Sequence, residues 1–158
     1  MGVQGISSDD LMVQLLRLLP EVKPFLEKEA GREGLRASQV THWEQLEIHP
    51  GNLLSEVLVY PLFKPLMRSP ELTAEQEKFL ERCFEFIEAL EEDPTGWLVT
   101  TAHFTFLEFF LDSREVLDRA MRLAWPKTRA EILSMLRGWN VPIDPSWEAP
   151  PGAGEGQS

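Results

Sequence analysis

The sequence is poor in the features that mark disulfide-bonded, zinc-binding and membrane-spanning proteins. Its 158 residues contain one cysteine, Cys83, so neither an intrachain disulfide nor a cysteine-based zinc site can form. No apolar run reaches the roughly 18 residues that a membrane-spanning helix needs. The N-terminus lacks the basic and apolar regions of a signal peptide, and we therefore expect a cytoplasmic protein.

Catalytic signatures are missing as well. The sequence contains no nucleophile elbow, Walker loop or dinucleotide-binding glycine turn. Its histidines, His42, His49 and His103, lack the i, i+3 or i, i+4 spacing of a helical metal site. We expect no metal, no cofactor and no catalytic residue. The alternative of an enzyme would depend on a pocket formed by His42, His49 and Glu44.

Positive charge is scarce. There are 15 Lys and Arg residues against 26 Asp and Glu residues, which gives a net charge of −11. This balance disfavours a nucleic-acid binder, because such affinity depends on neutralising phosphates. The charge is also concentrated, since residues 71–93 hold nine acids and two bases. A local excess of this kind suggests a site for a basic partner.

Helical signals are abundant. They predict a single all-α domain, a helical bundle or short helical-repeat stack of about six to seven helices, over residues 1–141. The chain is long enough for an ordinary hydrophobic core. Residues 142–158 are rich in Pro and Gly and are expected to be a disordered tail, although Trp139 and Trp147 can still dock on the body.

Prolines and capping patterns set the expected helix boundaries. Pro20 should divide residues 9–31 into two helices or kink them. A helix capped by Asn52 is expected to end or bend at Pro61. Four helices should follow, over residues 74–92, 94–111, 113–124 and 129–137. The first should begin with a capping box of Thr73 and Gln76, and the third with one that starts at Asp112.

The helix expected over residues 94–111 is apolar on nearly every face, with aromatic side chains all round. This pattern predicts a central buried helix rather than an amphipathic surface helix. A buried β-strand is the alternative, because the same residue types favour strands. The length of the segment and its flanking caps favour the helix.

The helix expected over residues 74–92 carries glutamates on one face and, on the other, a core-facing apolar stripe that includes Phe79, Cys83 and Phe86. The glutamates are spaced by 4, 4, 3 and 4 residues and fall within an arc of roughly 80°. We call this set the acidic ridge: Glu77, Glu81, Glu85, Glu88 and Glu92. Like charges at i, i+4 repel and a helix C-terminus prefers cations, so local stability does not explain the ridge.

Three interpretations of the acidic ridge are open. It can be a docking surface for a basic protein, with complementary charge that speeds association. It can be a solvated face that only confers solubility. It can also be neutralised within the fold by bases that follow it in the chain, namely Arg114, Arg119, Arg122, Lys127, Arg129 and Arg137.

Four segments form a recognisable series along the chain: residues 15–23 (LLRLLPEVK), 60–63 (YPLF), 84–93 (FEFIEALEED) and 109–112 (FFLD). Together they resemble a family of small, acidic, all-helical bacterial proteins of uncharacterised function that look like immunity proteins of polymorphic toxin systems. The resemblance covers about residues 10–138 and consists of packing patterns without a catalytic signature. It implies a stoichiometric inhibitor of a toxin and assigns no functional residues.

These observations lead to a non-catalytic protein-binding module as the main hypothesis. It would be an immunity or antitoxin-like inhibitor whose acidic ridge binds the basic face of a toxin or effector domain. The alternative is a helical adaptor or scaffold that takes a partner helix in an apolar groove near Trp43, Tyr60, Trp139 and Trp147. The first predicts strong salt dependence of binding, and the second predicts weak salt dependence.

Overall fold

The computed structural model describes residues 4–148, and within that range the protein is all-α with no β-strand. The all-α prediction is therefore confirmed. The α-helices are α1 (Leu11–Leu18), α2 (Lys23–Arg32), α3 (Pro50–Leu54), α4 (Lys64–Arg68), α5 (Ala74–Glu91), α6 (Trp97–Ala102), α7 (Arg114–Leu123), α8 (Pro126–Gly138) and α9 (Pro145–Glu148). As predicted, residues 9–31 contain two helices separated at Pro20.

The buried apolar residues from α1 to α9 form one cluster. Phe63 lies near its centre, with ring centroids 5.9 Å from Phe84 and 5.4 Å from Phe106. Phe84 belongs to α5, and the other two belong to the helical segments that flank it in sequence. The acidic helix α5 thus contributes Phe84, which borders the acidic ridge, to this aromatic cluster.

Residues 50–68 form one continuous helix, so the helix does not end at Pro61. α3 passes into a π-helix over Ser55–Phe63 and then into α4. A proline cannot donate a backbone hydrogen bond, and its ring clashes with the preceding turn of an α-helix. The wider π-turn accommodates Pro61, so the helix continues. The expected cap is also wrong, because His49 and not Asn52 caps this helix, with Nδ1 accepting from the Gly51 N–H at 3.2 Å.

The helix expected over residues 94–111 begins three residues later, at Trp97. The Asp93 carboxylate accepts hydrogen bonds from the backbone N–H groups of Thr95 (3.0 Å) and Leu98 (2.9 Å), which closes a turn ahead of the helix. Gly96 takes a left-handed conformation in this turn, with φ of 75°, and blocks an earlier start.

α6 continues as a π-helix over His103–Leu107 and a 3-10 helix over Glu108–Leu111. Most of its aromatic residues are buried as predicted. The expectation of burial on nearly every face is wrong for one side, because Trp97 is 45% exposed and Phe104 is 66% exposed. That side borders a cleft described below.

The packed body extends to Glu148, beyond the boundary expected at residue 141. Trp147 in α9 is buried, and the Arg114 guanidinium lies over its ring at 4.6 Å from the centroid. Trp139 remains exposed. The other residues of the expected tail, 149–158, lie outside the described part of the chain.

Candidate functional site

Glu88, expected on the exposed ridge, is buried and connects two helices. Its Oε1 accepts hydrogen bonds from the N–H and hydroxyl of Thr128, both at 2.7 Å, and its Oε2 accepts from the Lys127 N–H at 3.0 Å. These groups lie in the first turn of α8, which begins at Pro126 and not at the expected residue 129. Glu88 therefore acts as the N-terminal cap of α8, where a carboxylate is favoured by the helix dipole.

Two further members of the acidic ridge are paired within the chain. Glu77 Oε1 lies 2.6 Å from the Arg122 guanidinium, and Glu92 Oε1 lies 3.8 Å from Lys127 Nζ. These contacts match the third interpretation, in which bases of the following helices neutralise the ridge. The prediction of one exposed column of five carboxylates is wrong, because α8 packs against the column through Glu88.

Glu81 and Glu85 remain, and neither forms an ion pair or side-chain hydrogen bond with any residue in 4–148. Glu81 is exposed and Glu85 is half-buried. Together with Leu123 and Trp125 they line a depression of about 570 Å³ between α5 and the α7–α8 junction. Lys78 and Arg82 also line it. We call this depression the acidic groove.

Arg82 does not neutralise Glu81 and Glu85, because its guanidinium is paired with a carboxylate outside the acidic groove. Its guanidinium binds both carboxylate oxygens of Glu21, at 2.9 and 2.5 Å, and the Leu18 carbonyl oxygen at 2.8 Å. The hydrogen bond from Arg82 lowers the pKa of Glu21. The free cation beside Glu81 and Glu85 is then Lys78, which forms no ion pair among the described residues.

Glu91 is the most unfavourably placed carboxylate. It is 1% exposed, and neither oxygen has a hydrogen-bond partner among residues 4–148. Burial raises its pKa to about 7, with further contributions from Glu131 and Glu88. This residue was not singled out from the sequence, where it is one glutamate among nine acids.

A second depression, of about 650 Å³, lies between α3 and α6, and none of the residues among 4–148 that line it carries a formal charge. We call it the neutral cleft. Its polar lining comes from side chains that include His49, Asn52, Thr100 and Thr105, and its aromatic lining comes from Trp97 and Phe104. Sequence reasoning missed it, although the threonines at 100, 101 and 105 in an apolar helix were a signal of a polar face.

The pocket postulated for an enzyme does not form. His49 lines the neutral cleft, but the His42 ring is turned towards Asp9, with 3.2 Å between Nε2 and Oδ1. The Glu44 N–H donates to His42 Nδ1. The two imidazoles are connected only through the stacked rings of Trp43 and Trp97, so they do not face a common reacting atom.

Cys83 lies in the core, and burial raises the pKa of its thiol well above the usual value. The thiol is therefore protonated and unreactive, as its position on the apolar face of α5 predicted.

The aromatic residues proposed for an adaptor groove are dispersed. Trp147 is buried beneath Arg114, and Trp43 stacks on Trp97 with 5.7 Å between centroids. Tyr60 is exposed and lies beside Lys64. A different apolar depression, of about 320 Å³, lies between the α3–α4 helix and α5, lined by Pro61, Leu62, Pro65, Leu66 and Phe79, with Glu21, Glu75 and Gln76 also contributing.

Comparisons with known proteins returned no match to a family model and no significant match among curated proteins or solved structures. Within residues 4–148 no helix is both long and apolar enough to cross a membrane. The same residues contain no group of three or more His, Cys, Asp or Glu side chains that could hold a metal ion.

Proposed function

We propose that this protein is a non-catalytic protein-binding module, an immunity or antitoxin-like inhibitor that binds a basic toxin or effector domain. The observation that carries the proposal is that Glu81 and Glu85 alone among the ridge glutamates have no partner among residues 4–148. Glu77, Glu88 and Glu92 have structural roles, whereas these two face an open groove.

The distribution of cations supports an acidic outer surface. The Arg119 guanidinium donates to the carbonyl oxygens of Leu66 and Ser69, both at 2.8 Å, at the end of α4. Arg129 donates to the carbonyl oxygens of Met121 and Trp147. These cations point to helix ends and not to Glu81 and Glu85, and the net charge of −11 remains with both of them counted. An acidic surface of this kind accelerates association with a basic protein.

The composition of the acidic groove favours an arginine of the partner. A guanidinium can pair with a carboxylate and stack on an indole at the same time, and Glu81, Glu85 and Trp125 line one surface. Lys78 lines the same groove and repels such a group. Replacing Lys78 by Ala should therefore strengthen binding of a basic partner, whereas replacing either glutamate should weaken it.

The test begins with the adjacent reading frame: the inhibitor proposal expects it to encode a toxin-type domain, and binding to that isolated domain is measured at about 50 and 500 mM NaCl. Glu81→Lys with Glu85→Lys should weaken association by at least about tenfold at low salt. The matched control is Glu33→Lys with Glu71→Lys, which changes the net charge equally at exposed positions outside the groove. Helical content by circular dichroism should be the same for all three proteins. Equal losses in both double variants, or none in either, would remove the acidic groove from the mechanism.

The second candidate is the helical adaptor, which the apolar depression beside Phe79 favours. A partner helix seated there would bind mainly through apolar burial. Its affinity would change little between the two salt concentrations and would fall on Leu62→Ala. Salt-insensitive binding that resists charge reversal at Glu81 and Glu85 would thus select the adaptor over the inhibitor.

A further inference from the structure

The neutral cleft combines uncharged hydrogen-bonding groups with an aromatic rim. The side chains of Asn52, Thr100 and Thr105 make no hydrogen bond with any group in residues 4–148. His49 Nδ1 accepts from the Gly51 N–H. In a neutral imidazole the other nitrogen, Nε2, then carries the proton and can donate. The cleft therefore offers amide, hydroxyl and imidazole groups without a formal charge.

The aromatic rim is exposed and well supported. Trp97 is 45% exposed and Phe104 is 66% exposed, which leaves a large apolar area uncovered. The Trp97 ring stacks on Trp43 at 5.7 Å and lies 6.1 Å from His49, so its orientation is fixed by neighbours behind it. A fixed aromatic platform binds a ligand at a low cost in side-chain entropy.

The backbone on both sides of the cleft departs from the α-helix. One π-helical segment begins at Ser55 and the other at His103, directly next to lining residues of the two walls. Such segments occur often at functional sites. The two walls approach closely at Gly51, where an added Cβ would lie 3.4 Å from Thr105 Oγ1, at van der Waals contact.

We propose that the neutral cleft binds an uncharged, hydroxyl-rich ligand, a carbohydrate of mono- to disaccharide size. A sugar ring has an apolar C–H face that can cover Trp97 and hydroxyl groups that can bond Asn52, Thr100 and Thr105. The volume of about 650 Å³ lies in the range of small-molecule sites. A phosphorylated ligand would find no cation in the lining, and a purely apolar ligand would leave these polar groups unpaired.

The experiment is an NMR titration of the ¹⁵N-labelled full chain with maltose and with N-acetylglucosamine, followed at the Trp97 indole N–H. We expect saturable shifts with dissociation constants of about millimolar size, as befits a few hydrogen bonds and one stacking contact. Uridine and glucose 6-phosphate serve as a neutral aromatic ligand and a charged sugar. Both should shift the resonance less than the better of the two sugars does.

Two variants with matched controls locate the site. Thr100→Val removes one exposed hydroxyl with little change of shape and should weaken sugar binding by about fivefold. The control Ser134→Ala removes an exposed hydroxyl on α8. Trp97→Ala removes the indole reporter, so this variant is followed at the backbone amides of Thr100 and Thr105, which line the same cleft, and it should abolish binding. Trp139→Ala, at another exposed tryptophan, should leave binding unchanged. Spectral dispersion in the core shows that each variant is folded.

The proposal is overturned if neither sugar gives a saturable shift up to about 50 mM. It is also overturned if uridine or glucose 6-phosphate binds better than both sugars, or if the control variants lose as much affinity as the cleft variants. It is independent of the acidic groove, because charge reversal at Glu81 and Glu85 should leave the sugar titration unaltered.

Discussion

At the residue scale, the ionisation of Glu91 opposes folding. Its carboxyl group is buried without a partner, and its pKa rises from 4.5 to about 7. Between these two values the folded protein binds a proton that the unfolded chain releases. Stability is therefore highest at and below pH 4.5 as far as this group is concerned, and it falls as the pH rises through 7. The shift corresponds to a loss of about 3 kcal/mol.

Glu91→Gln should remove this dependence, because the amide is neutral at every pH. We expect the free energy of unfolding at pH 8 to rise by about 2 kcal/mol relative to the unmodified chain, and the difference to shrink towards pH 5. Urea denaturation at several pH values measures it. Glu81→Gln, on the exposed side of the same helix, is the control and should change little. A pH profile that survives in Glu91→Gln would contradict the assignment.

Glu88, in contrast to Glu91, stabilises the fold. Its carboxylate satisfies two backbone N–H groups and one hydroxyl at the start of α8. Glu88→Ala should destabilise the protein by about 2–4 kcal/mol, since buried donors are left without an acceptor. Hydrogen exchange should show faster exchange at the Lys127 and Thr128 amides. Glu85→Ala, a turn away on α5, should cost less than about 0.5 kcal/mol.

The roles of single glutamates were only partly predictable. Helical spacing placed Phe79, Cys83 and Phe86 on the buried face of α5, and the structure confirms it. The same spacing could not show that α8 packs near the opposite face, because the contact between Glu88 and Thr128 spans 40 residues. A periodicity within one helix reports which residues share a side, not which sides a second helix will cover.

At the scale of helices, the boundaries that depend on local chemistry were predictable. Thr73 and Gln76 form the expected capping box, with reciprocal hydrogen bonds of 3.1 and 2.9 Å. Ser113, rather than Asp112, caps α7. The continuation of a helix through Pro61 was not predictable, because the π-helical geometry that admits it depends on packing along the whole segment.

Two tryptophans after α8, Trp139 and Trp147, differ in burial and form a matched pair for a test. Trp147 in α9 is 7% exposed, whereas Trp139 is 55% exposed. Trp147→Ala should lower the free energy of unfolding by about 3 kcal/mol, because a large buried ring is lost and Arg114 loses its aromatic contact. Trp139→Ala should cost less than about 1 kcal/mol. Chemical denaturation of the two variants measures the difference, and equal costs would contradict the docking of α9.

At the scale of the whole molecule, the single apolar cluster predicts cooperative unfolding. Trp97 reports on one side of the body and Trp147 on the C-terminal turn, and both adjoin the same core. Far-ultraviolet circular dichroism and tryptophan fluorescence should therefore give coincident transitions in urea. Separate midpoints would show that part of the helical array unfolds independently. A Trp97→Phe variant, observed through the remaining tryptophans, should keep the coincidence.

The distribution of charge over the molecule separates two surfaces. The acidic groove is partly lined by carboxylates that no helix of the described chain neutralises, and the neutral cleft on α3 and α6 has no charged lining. The local charge excess in residues 71–93 drew attention to Glu81 and Glu85, but not to Leu123 and Trp125, which complete the acidic groove. The neutral cleft depends on two helical segments more than 40 residues apart, and no pattern within either segment predicts that they meet.

The π-helical stretch Ser55–Phe63 also determines how this chain tolerates changes in length. A π-helix holds more residues per turn than an α-helix, so the loss of one residue there would restore ordinary α-helical pairing with little change in the orientation of α4. Arg68 would keep Asp112, to which it is now joined at 2.8 Å, and Lys64 would keep the face of Phe109. A single-codon deletion in this stretch is therefore a change confined to the turns around Pro61, whereas the same deletion in the regular helix α5 would rotate every following side chain by about 100°.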